Sequence, residues 1–214
     1  PRFVLLGGCA LAALASAVNV HFLLASGISV SHLTGDLARL GAGLLADGGP
    51  ALREVAWLSC ALAGFVLGAL AAGFFVHHPV FTIERPYGRS IVAIGTLLLA
   101  AWGMERRIPL AATFLAAGAC GMQNGLATHY RGLVLRTTHV TGVLTDIGQM
   151  LGLRLAGHAV YAWKIQGQTA IFVAFFAGSV GGAVLHLGAE GATLGVLGVA
   201  YVAAGSAWSV AKRT

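Results

Sequence analysis

Charged residues are absent from five long stretches of this chain, and this spacing restricts its fold more than any other feature. No Asp, Glu, Lys or Arg occurs in residues 3–35, 55–83, 108–130, 165–189 or 191–211. Each stretch is as long as the roughly 20 apolar residues that a helix needs to cross a bilayer. Because charged residues make up only 9% of the chain and hydrophobic ones 57%, too little polar surface remains to cover a water-soluble globule. We therefore predict an all-α polytopic membrane protein.

The basic residues of the chain do not indicate a nucleic-acid surface. Although the net charge is +6, the thirteen Lys and Arg residues lie mostly between the apolar stretches, where they would flank membrane helices. The three cysteines, Cys9, Cys60 and Cys120, lie inside apolar stretches and lack C-x-x-C spacing, so we expect them to pack rather than to form disulfides or bind metal. The composition predicts the lipid bilayer as a partner. It does not decide whether the protein forms a homo-oligomer.

One motif occurs twice in the chain. Residues 31–41 read SHLTGDLARLG and residues 138–148 read THVTGVLTDIG, so that Thr34 and Thr141 are 107 residues apart, half of the 214-residue chain. The similarity extends to flanking positions, pairing Asn19 with Asn124 and Phe65-x-x-Gly68 with Phe175-x-x-Gly178. We therefore predict two internal repeats, residues 1–107 and 108–214, within one transmembrane domain. Repeated membrane folds place their binding site where the two copies meet.

Each predicted repeat contains one segment that is too short to cross a membrane. The apolar stretches and the turns between them predict helices near residues 3–25, 32–46, 55–76, 91–104, 108–127, 139–156, 168–187 and 191–211. The helical stretches after the two Thr-Gly pairs, of about 12–15 residues, fall short of the roughly 30 Å hydrocarbon core at about 1.5 Å per residue. We interpret them as half-helices, capped by Ser31 or Thr34 in the first copy and by Thr138 or Thr141 in the second.

Two topologies are compatible with these segments. If the half-helices do not cross, each repeat has three crossings, the second repeat is inverted, and the chain has about six full spans plus two half-helices. If they cross, the repeats are parallel and the spans number eight. With both termini cytoplasmic, the first topology places nine Lys and Arg residues inside and four outside. The second places eight inside and four outside, with Arg39 within a span, so the positive-inside rule does not separate them. The short segments favour inversion. The nine residues are Arg2, Arg85, Arg89, Arg131, Arg136, Arg154, Lys164, Lys212 and Arg213.

Three sequence segments resemble a known family. They are Val30-Ser31-x-x-Thr34-Gly35, Gly121-Met122-Gln123-Asn124-Gly125 and Thr137-Thr138-x-Val140-Thr141-Gly142-x-Leu144. On these segments the chain resembles, over essentially its whole length, the YoaK-like bacterial inner-membrane proteins, which carry a domain of unknown function. The family pattern usually has Asp where Asn19 stands and Asn where Asp36 stands. The resemblance implies a multi-pass protein of the bacterial inner (cytoplasmic) membrane and implies no established substrate.

Polar residues at the predicted helix breaks are the candidate ligands for a solute. The amides of Asn19, Gln123 and Asn124 lie in otherwise apolar helices, where they either satisfy broken backbone or coordinate a polar solute directly. The motif residues Thr34, Gly35, Thr141 and Gly142 would offer backbone and hydroxyl ligands at the half-helix starts. Because helix N-termini are the positive ends of helix dipoles, an anionic group would be favoured there.

The histidines and aspartates of the motif add ionisable candidates. His32 and His139 occupy equivalent positions, where they would lie near each other or on opposite sides of the repeat axis. A zinc site would need Asp36 or His21 to complete it, but no H-x-x-x-H spacing occurs, so we predict hydrogen-bonded histidines and no metal. Asp36 could pair with Arg39 one turn later, whereas Asp146 has no such local partner. Ionisable residues inside a membrane are functional candidates, and a protonated aspartate would couple transport to protons.

These features together predict a small secondary-type transporter for a small polar or anionic solute. The binding site would lie at the repeat interface near the membrane midplane, with transport coupled to protons or not. A passive channel is the alternative, and a membrane enzyme or a scaffold is less favoured, because the sequence contains no nucleophile constellation, phosphate loop or cofactor motif. We therefore predict no enzymatic activity and no cofactor. Both termini are predicted to be cytoplasmic.

Overall fold

The computed structural model describes residues 2–45, 52–75, 87–126, 128–130, 133–135, 137–189 and 191–211. Within these ranges the chain forms eight α-helices: α1 (Arg2–Ser26), α2 (Leu33–Gly43), α3 (Leu52–Phe75), α4 (Tyr87–Glu105), α5 (Pro109–Gly125), α6 (Val140–Leu155), α7 (Ala162–Gly188) and α8 (Thr193–Ala211). Between α5 and α6, strands β1 (Thr128–Tyr130) and β2 (Leu133–Leu135) pair antiparallel. The prediction of a helical protein is confirmed, and this short ribbon departs from it.

The helices fall into long and short ones, as the apolar stretches predict. Five of the described helices, α1, α3, α4, α7 and α8, are long and apolar enough to cross a membrane. Helix α5 has 17 residues, at the lower end of what a span requires. Helix α2 has 11 residues, but α6 has 16 and is thus only slightly shorter than α5. Large apolar side chains such as Leu70, Phe74 and Phe176 are more than half exposed, which suits a surface that faces lipid.

Helix α1 ends at a glycine that reverses the chain. Gly27 has a φ of 73°, a backbone conformation that side chains disfavour, and its N–H donates to Leu23 O at 3.0 Å. The chain then turns back into the protein, where Ile28 and Val30 are almost fully buried. This re-entry places the start of α2 inside the bundle rather than at its end.

Three helix pairs form the body of the fold. Helix α1 packs along α7, α3 along α5, and α4 along α8, and α4 also contacts α5. The pairs α1/α7 and α3/α5 are parallel, because successive contacts advance in the same direction along both helices. The pair α4/α8 is antiparallel, because its contacts advance in opposite directions.

Glycine permits the close approach of α3 and α5. A Cβ atom at Gly64 would overlap the Phe114 carbonyl oxygen, and one at Gly68 would overlap the Gly118 carbonyl oxygen. The spacing Gly64-x-x-x-Gly68 predicts such backbone contact between membrane helices, and the prediction is confirmed.

The α1/α7 pair uses the same device. A Cβ atom at Gly178 would overlap the Ala13 backbone, and one at Gly182 would lie 2.5 Å from Ala17 Cα. These contacts lie at Ala13 and Ala17 of α1, as the Gly64 and Gly68 contacts lie at Phe114 and Gly118 of α5.

The short helices lie at the periphery of the bundle. None of the α2 residues is buried, and only Val143 is buried in α6. The N-cap residues are His32 and His139, and neither makes a side-chain capping bond. The prediction that Ser or Thr caps these helices is therefore wrong, and only the helix starts reach the interior.

Candidate functional site

Residues 27–32, between α1 and α2, interrupt the helical structure, and one amide oxygen holds this break. Asn19 Oδ1 accepts hydrogen bonds from Ser29 Oγ (2.6 Å), Val30 N (3.2 Å), Ser31 N (3.1 Å) and Ser31 Oγ (2.9 Å). Because segment 29–31 is buried and not helical, its N–H groups have no helical acceptors. Asn19 thus satisfies broken backbone, which is the first of its two predicted roles.

Asp36 holds the same break from the other side. Its Oδ2 accepts from Ser29 N at 2.7 Å, and its Oδ1 lies 3.4 Å from Arg39 Nη2. Arg39 also donates to Gly27 O at 3.3 Å. The predicted pairing of Asp36 with Arg39 is confirmed, and it ties the carboxylate to the outer turn rather than to a shared central site.

The break before α6 repeats the first arrangement with a second asparagine. Asn124 Oδ1 accepts from Thr138 Oγ1 at 2.7 Å, as Asn19 Oδ1 accepts from Ser31 Oγ. The Asn124 amide nitrogen in turn donates to His139 Nε2 at 3.2 Å. Ser31 and Thr138 are equivalent in the repeated motif, so the asparagine-to-hydroxyl bond is common to both copies.

The two motif histidines lie at the starts of α2 and α6. Burial of the His32 ring and, to a lesser degree, the charge of His139 lower the pKa of His32. The His32 ring packs edge-on against Phe175, near the middle of α7, with ring centroids 5.4 Å apart. His32 Nε2 is buried, and no hydrogen-bond partner for it lies among the described residues. The start of α2 therefore presents a buried imidazole nitrogen at mid-helix depth.

Gln123 is the centre of a buried polar network. Its Nε2 donates to Leu11 O at 2.9 Å and to Thr137 Oγ1 at 3.0 Å, and its Oε1 accepts from the Tyr201 hydroxyl. Gln123 and Tyr201 are almost fully buried. The network therefore joins α1, α5 and α8 to the segment before α6.

Replacing Tyr201 by phenylalanine is expected to destabilise the protein. The change removes the hydroxyl and leaves buried Gln123 Oε1 without that donor, at a cost of about 1–3 kcal/mol. The midpoint of thermal unfolding in detergent should fall by several degrees, while Tyr161→Phe at an exposed position should leave it unchanged. Equal midpoints for the two variants would mean that the hydroxyl bond contributes nothing.

A cavity of about 130 Å³ adjoins Gln123. Its wall is mainly apolar, with Gln123 and Thr137 as polar groups, and it extends to the first turns of α1 and α4. Helices α1 and α4 of the first half and α5 and α8 of the second half enclose it. The lining residues are Val4, Gly7, Gly8, Ala10, Leu11, Leu14, Tyr87, Ile91, Gln123, Leu126, Thr137, Ala204 and Trp208.

Asp146 bonds to a buried glutamine of α7. Gln168 Nε2 donates to Asp146 Oδ2 at 3.2 Å, and Gln168 is fully buried. This bond attaches the peripheral helix α6 to the bundle. Asp146 does not line the cavity.

The comparison with protein families identifies the chain. Residues 7–206 match the family described as "Protein of unknown function (DUF1275)". The chain belongs to the DUF1275 family. None of the curated proteins and none of the solved structures with which this DUF1275 protein was compared matches it.

The predicted ligands of this DUF1275 protein occupy three environments. Gln123 lines the cavity. His32 and His139 lie in the non-helical segments before α2 and α6, and Asn19 and Asn124 bond to those segments. Thr34, Gly35 and Thr141 are exposed on the short helices, Gly142 is partly buried on α6, and none of these four lines the cavity. No heavy atom lies within 4 Å of the position that a Cβ at Gly35 would take, so close backbone approach does not account for this glycine.

Asp36 and His21, the further ligands that a zinc site at the motif histidines would need, are bonded to groups other than those histidines. Asp36 is bonded to Ser29 N and Arg39, and His21 is bonded to Glu105, the last residue of α4. Among the described residues no three His, Cys, Asp or Glu side chains are grouped to hold a metal ion.

Several residues of the candidate site were not predicted from the sequence to be site residues. They are Ser29, Thr137, Phe175, Gln168 and Tyr201. Gln168 and Tyr201 interrupt charge-free apolar stretches, which is a signal that could have marked them. Thr137 and Ser29 carry no comparable signal, because a hydroxyl beside a helix break is common.

Proposed function

We propose that this protein is a small secondary-type transporter for a small polar or anionic solute. It would be built from two inverted repeats, 1–107 and 108–214, in the bacterial inner membrane, and its site would lie at their interface near the midplane. The observation that supports this most is that two asparagines at matching places of the sequence, Asn19 and Asn124, hold the non-helical segments before α2 and α6. Non-helical backbone at membrane depth is tolerated where it is buried in protein or lines a cavity, and such breaks mark transporter sites.

The pattern of helix pairing supports two inverted repeats. Exchanging α1 with α5, α3 with α7 and α4 with α8 turns the α1/α7 pair into α5/α3 and leaves α4/α8 unchanged. Helix directions follow from the contacts: α1, α4 and α7 run one way, and α3, α5 and α8 run the other. Each helix therefore runs opposite to its counterpart, as an in-plane pseudo-two-fold axis requires.

The cavity supports a solute of limited size with a hydrogen-bonding group. A cavity of roughly 150 Å³ accommodates a benzene-sized molecule, so about 130 Å³ suits a solute of about six non-hydrogen atoms. Gln123 and Thr137 would orient its polar end, while the apolar wall covers the remainder. Thr137 lies three residues before the start of α6, and the positive end of that helix would favour a negative charge on the polar end of the solute.

Access from one end of the bundle is consistent with one state of alternating access. The cavity reaches Tyr87 and Trp208, which lie at the ends of α4 and α8 near the beginning of α1. At the opposite end of the same helix pair, Ala101 and Leu194 are fully buried. In the inverted topology nine Lys and Arg residues belong to the end that holds the termini and the cavity and four to the opposite end, so the positive-inside rule supports a cytoplasmic opening and cytoplasmic termini.

Filling the cavity is expected to abolish transport without unfolding the protein. A small-solute panel of carboxylates, amides and amines is first screened by thermal shift, because specific binding raises stability by mass action. The hit is then followed into proteoliposomes, where Gly8→Leu should lower its uptake at least tenfold. Gly8 lines the cavity and has no heavy atom within 4 Å of its Cβ position.

Gly73→Leu is the matched control for this experiment. Gly73 is also helical and also open at its Cβ position, but it lies on the exposed surface of α3. Uptake by this variant should equal that of the wild type. Equal uptake by Gly8→Leu would place the transport path elsewhere. Equilibration without accumulation under any ion gradient would indicate a passive channel, turnover of the hit in detergent would indicate an enzyme, and no shift with any compound would favour a scaffold.

A further inference from the structure

A chain of three ionisable side chains lies away from the cavity, at the opposite end of the bundle. His21 of α1 contacts Glu105 at the end of α4 and His186 near the end of α7. His21 Nε2 lies 2.6 Å from Glu105 Oε1, and His21 Nδ1 lies 2.9 Å from His186 Nδ1. The His21 side chain is only 2% exposed, while that of Glu105 is 20% exposed. This row of side chains thus connects the bundle interior, at His21, with the surface, at Glu105.

The hydrogen-bond partners determine where the protons lie. The Glu105 carboxylate only accepts, so His21 Nε2 carries the proton of that bond. A neutral imidazole has one N–H group, so His21 Nδ1 is then an acceptor. The proton between the two rings must belong to His186 Nδ1, which donates to His21 Nδ1. All three groups are therefore linked by bonds that point from His186 towards Glu105.

We propose that Glu105, His21 and His186 form a binding site for a single proton. The proton enters on His186 Nε2, and both hydrogen bonds of the chain remain intact. Transfer of the Nδ1 proton from His186 to His21 then places the imidazolium beside the Glu105 carboxylate, with N–H bonds exchanged and no other bond changed. A second proton does not fit, because two imidazolium rings would direct N–H against N–H across the 2.9 Å contact.

The other ionisable residues of the described ranges at this end of the bundle lie on α2, at the start of α3 and in the link after α4. Helices α5 and α8 contain no Asp, Glu, Lys, Arg or His. In the link after α4, Arg106 lies beside Gly191, and Arg107 is exposed. Helix α3 begins here with Arg53 and Glu54, but it packs on α5 rather than on α1. Binding of one proton at the junction of α1, α4 and α7 stands independently of the transport proposal, because it requires no solute.

The positions of the protons can be read from the unmodified protein. In histidine-labelled ¹⁵N protein in detergent at neutral pH, we expect His21 as the Nε2–H tautomer and His186 as the Nδ1–H tautomer. Signals are assigned with His21→Asn and His186→Asn, or by replacing the other histidines if those variants do not fold. The opposite tautomers, or two charged rings at neutral pH, would overturn the proposal.

The single-proton limit has its own test in the pH dependence of stability. Below about pH 6.5 the two imidazoles of the unfolded chain together hold more than one proton, whereas the folded site holds at most one, so stability decreases as the pH falls further. We expect the unfolding midpoint of the wild type to fall by about 3 °C between pH 6.5 and pH 5. His186→Asn, whose amide donates without titrating, should show a smaller decrease, and what remains includes the contribution of His32, whose burial lowers its pKa.

The control for the pH experiment is His158→Asn, at an exposed position outside the helices. Its pH profile should match that of the wild type, which separates the buried pair from general acid effects. The same decrease in His186→Asn as in the wild type would refute the single-proton site. A flat wild-type profile would refute it as well, and neither result depends on whether the protein transports a solute.

Discussion

Replacing Gly68 by leucine is expected to prevent α3 and α5 from packing. The Cβ atom alone would overlap the carbonyl oxygen of Gly118, which is backbone and cannot move aside by changing a rotamer. Overpacking of a tight interface costs about 1–3 kcal/mol when side chains can adjust, so we expect more than about 3 kcal/mol here. The yield of monodisperse protein in size-exclusion chromatography should collapse, and the remaining fraction should unfold at a much lower temperature.

The contrast with Gly73 on the same helix makes this prediction specific. A Cβ atom at Gly73 would have no heavy atom within 4 Å, so leucine there should leave yield and unfolding temperature close to those of the wild type. Leucine at Gly182 should resemble leucine at Gly68, because its Cβ would lie 2.5 Å from Ala17 Cα in the equivalent pair. A Gly68→Leu protein as stable as the Gly73 variant would show that the α3/α5 interface is not packed as described.

Replacing Asn19 by leucine is expected to release the re-entrant segment before α2. The side chain has a similar volume, but the four hydrogen bonds to Oδ1 are lost, and two backbone N–H groups remain buried without an acceptor. Each such group costs about 1–3 kcal/mol, so the loss should be on the order of 3 kcal/mol or more. The unfolding midpoint should fall sharply, and the 27–32 segment should become the first site of limited proteolysis.

Asn19→Asp is the matched control, because a carboxylate oxygen can accept the same four bonds. It should therefore retain most of the stability that Asn19→Leu loses. The same exchange at Asn124 should do worse, since its amide nitrogen donates to His139 Nε2 and a carboxylate cannot. Equal stability of Asn19→Asp and Asn19→Leu would show that the oxygen does not hold the break.

Helix positions followed closely from the charge-free stretches, and the misplaced ends have a local cause. The seventh helix was predicted from residue 168 but begins at Ala162, and the fourth was predicted from 91 but begins at Tyr87. Lys164 and Arg89 lie in the first turns of these helices. A long basic side chain at a membrane helix end can extend towards the interface, so a charge there does not stop the helix. The second helix was predicted to end at residue 46 but ends at Gly43, and the predicted end at 76 lies outside the described residues.

The candidate site was predictable in part. The repeated motif, with an asparagine before each copy, identified both non-helical segments, those before α2 and α6. Buried non-helical backbone needs polar side chains nearby as hydrogen-bond partners, and the asparagines are such side chains. The sequence did not distinguish the residues that support a break from those that line a cavity. Thr34 and Thr141 share the motif with His32 and His139, yet they are exposed, because the periphery of α2 and α6 turns them away from the bundle.

The sequence by itself determined the membrane environment, the long helices, the two breaks and the asparagines that hold them. These follow from local chemistry, since charge, apolar length and unsatisfied backbone act within short stretches of chain. Only the tertiary structure decided which helices pair, where the cavity opens, and that His21, Glu105 and His186 form one chain. His21 is 84 residues from Glu105 and 165 from His186, and no helical or strand periodicity relates residues so far apart in the sequence. Such contacts arise when three helices pack side by side, which no local pattern encodes.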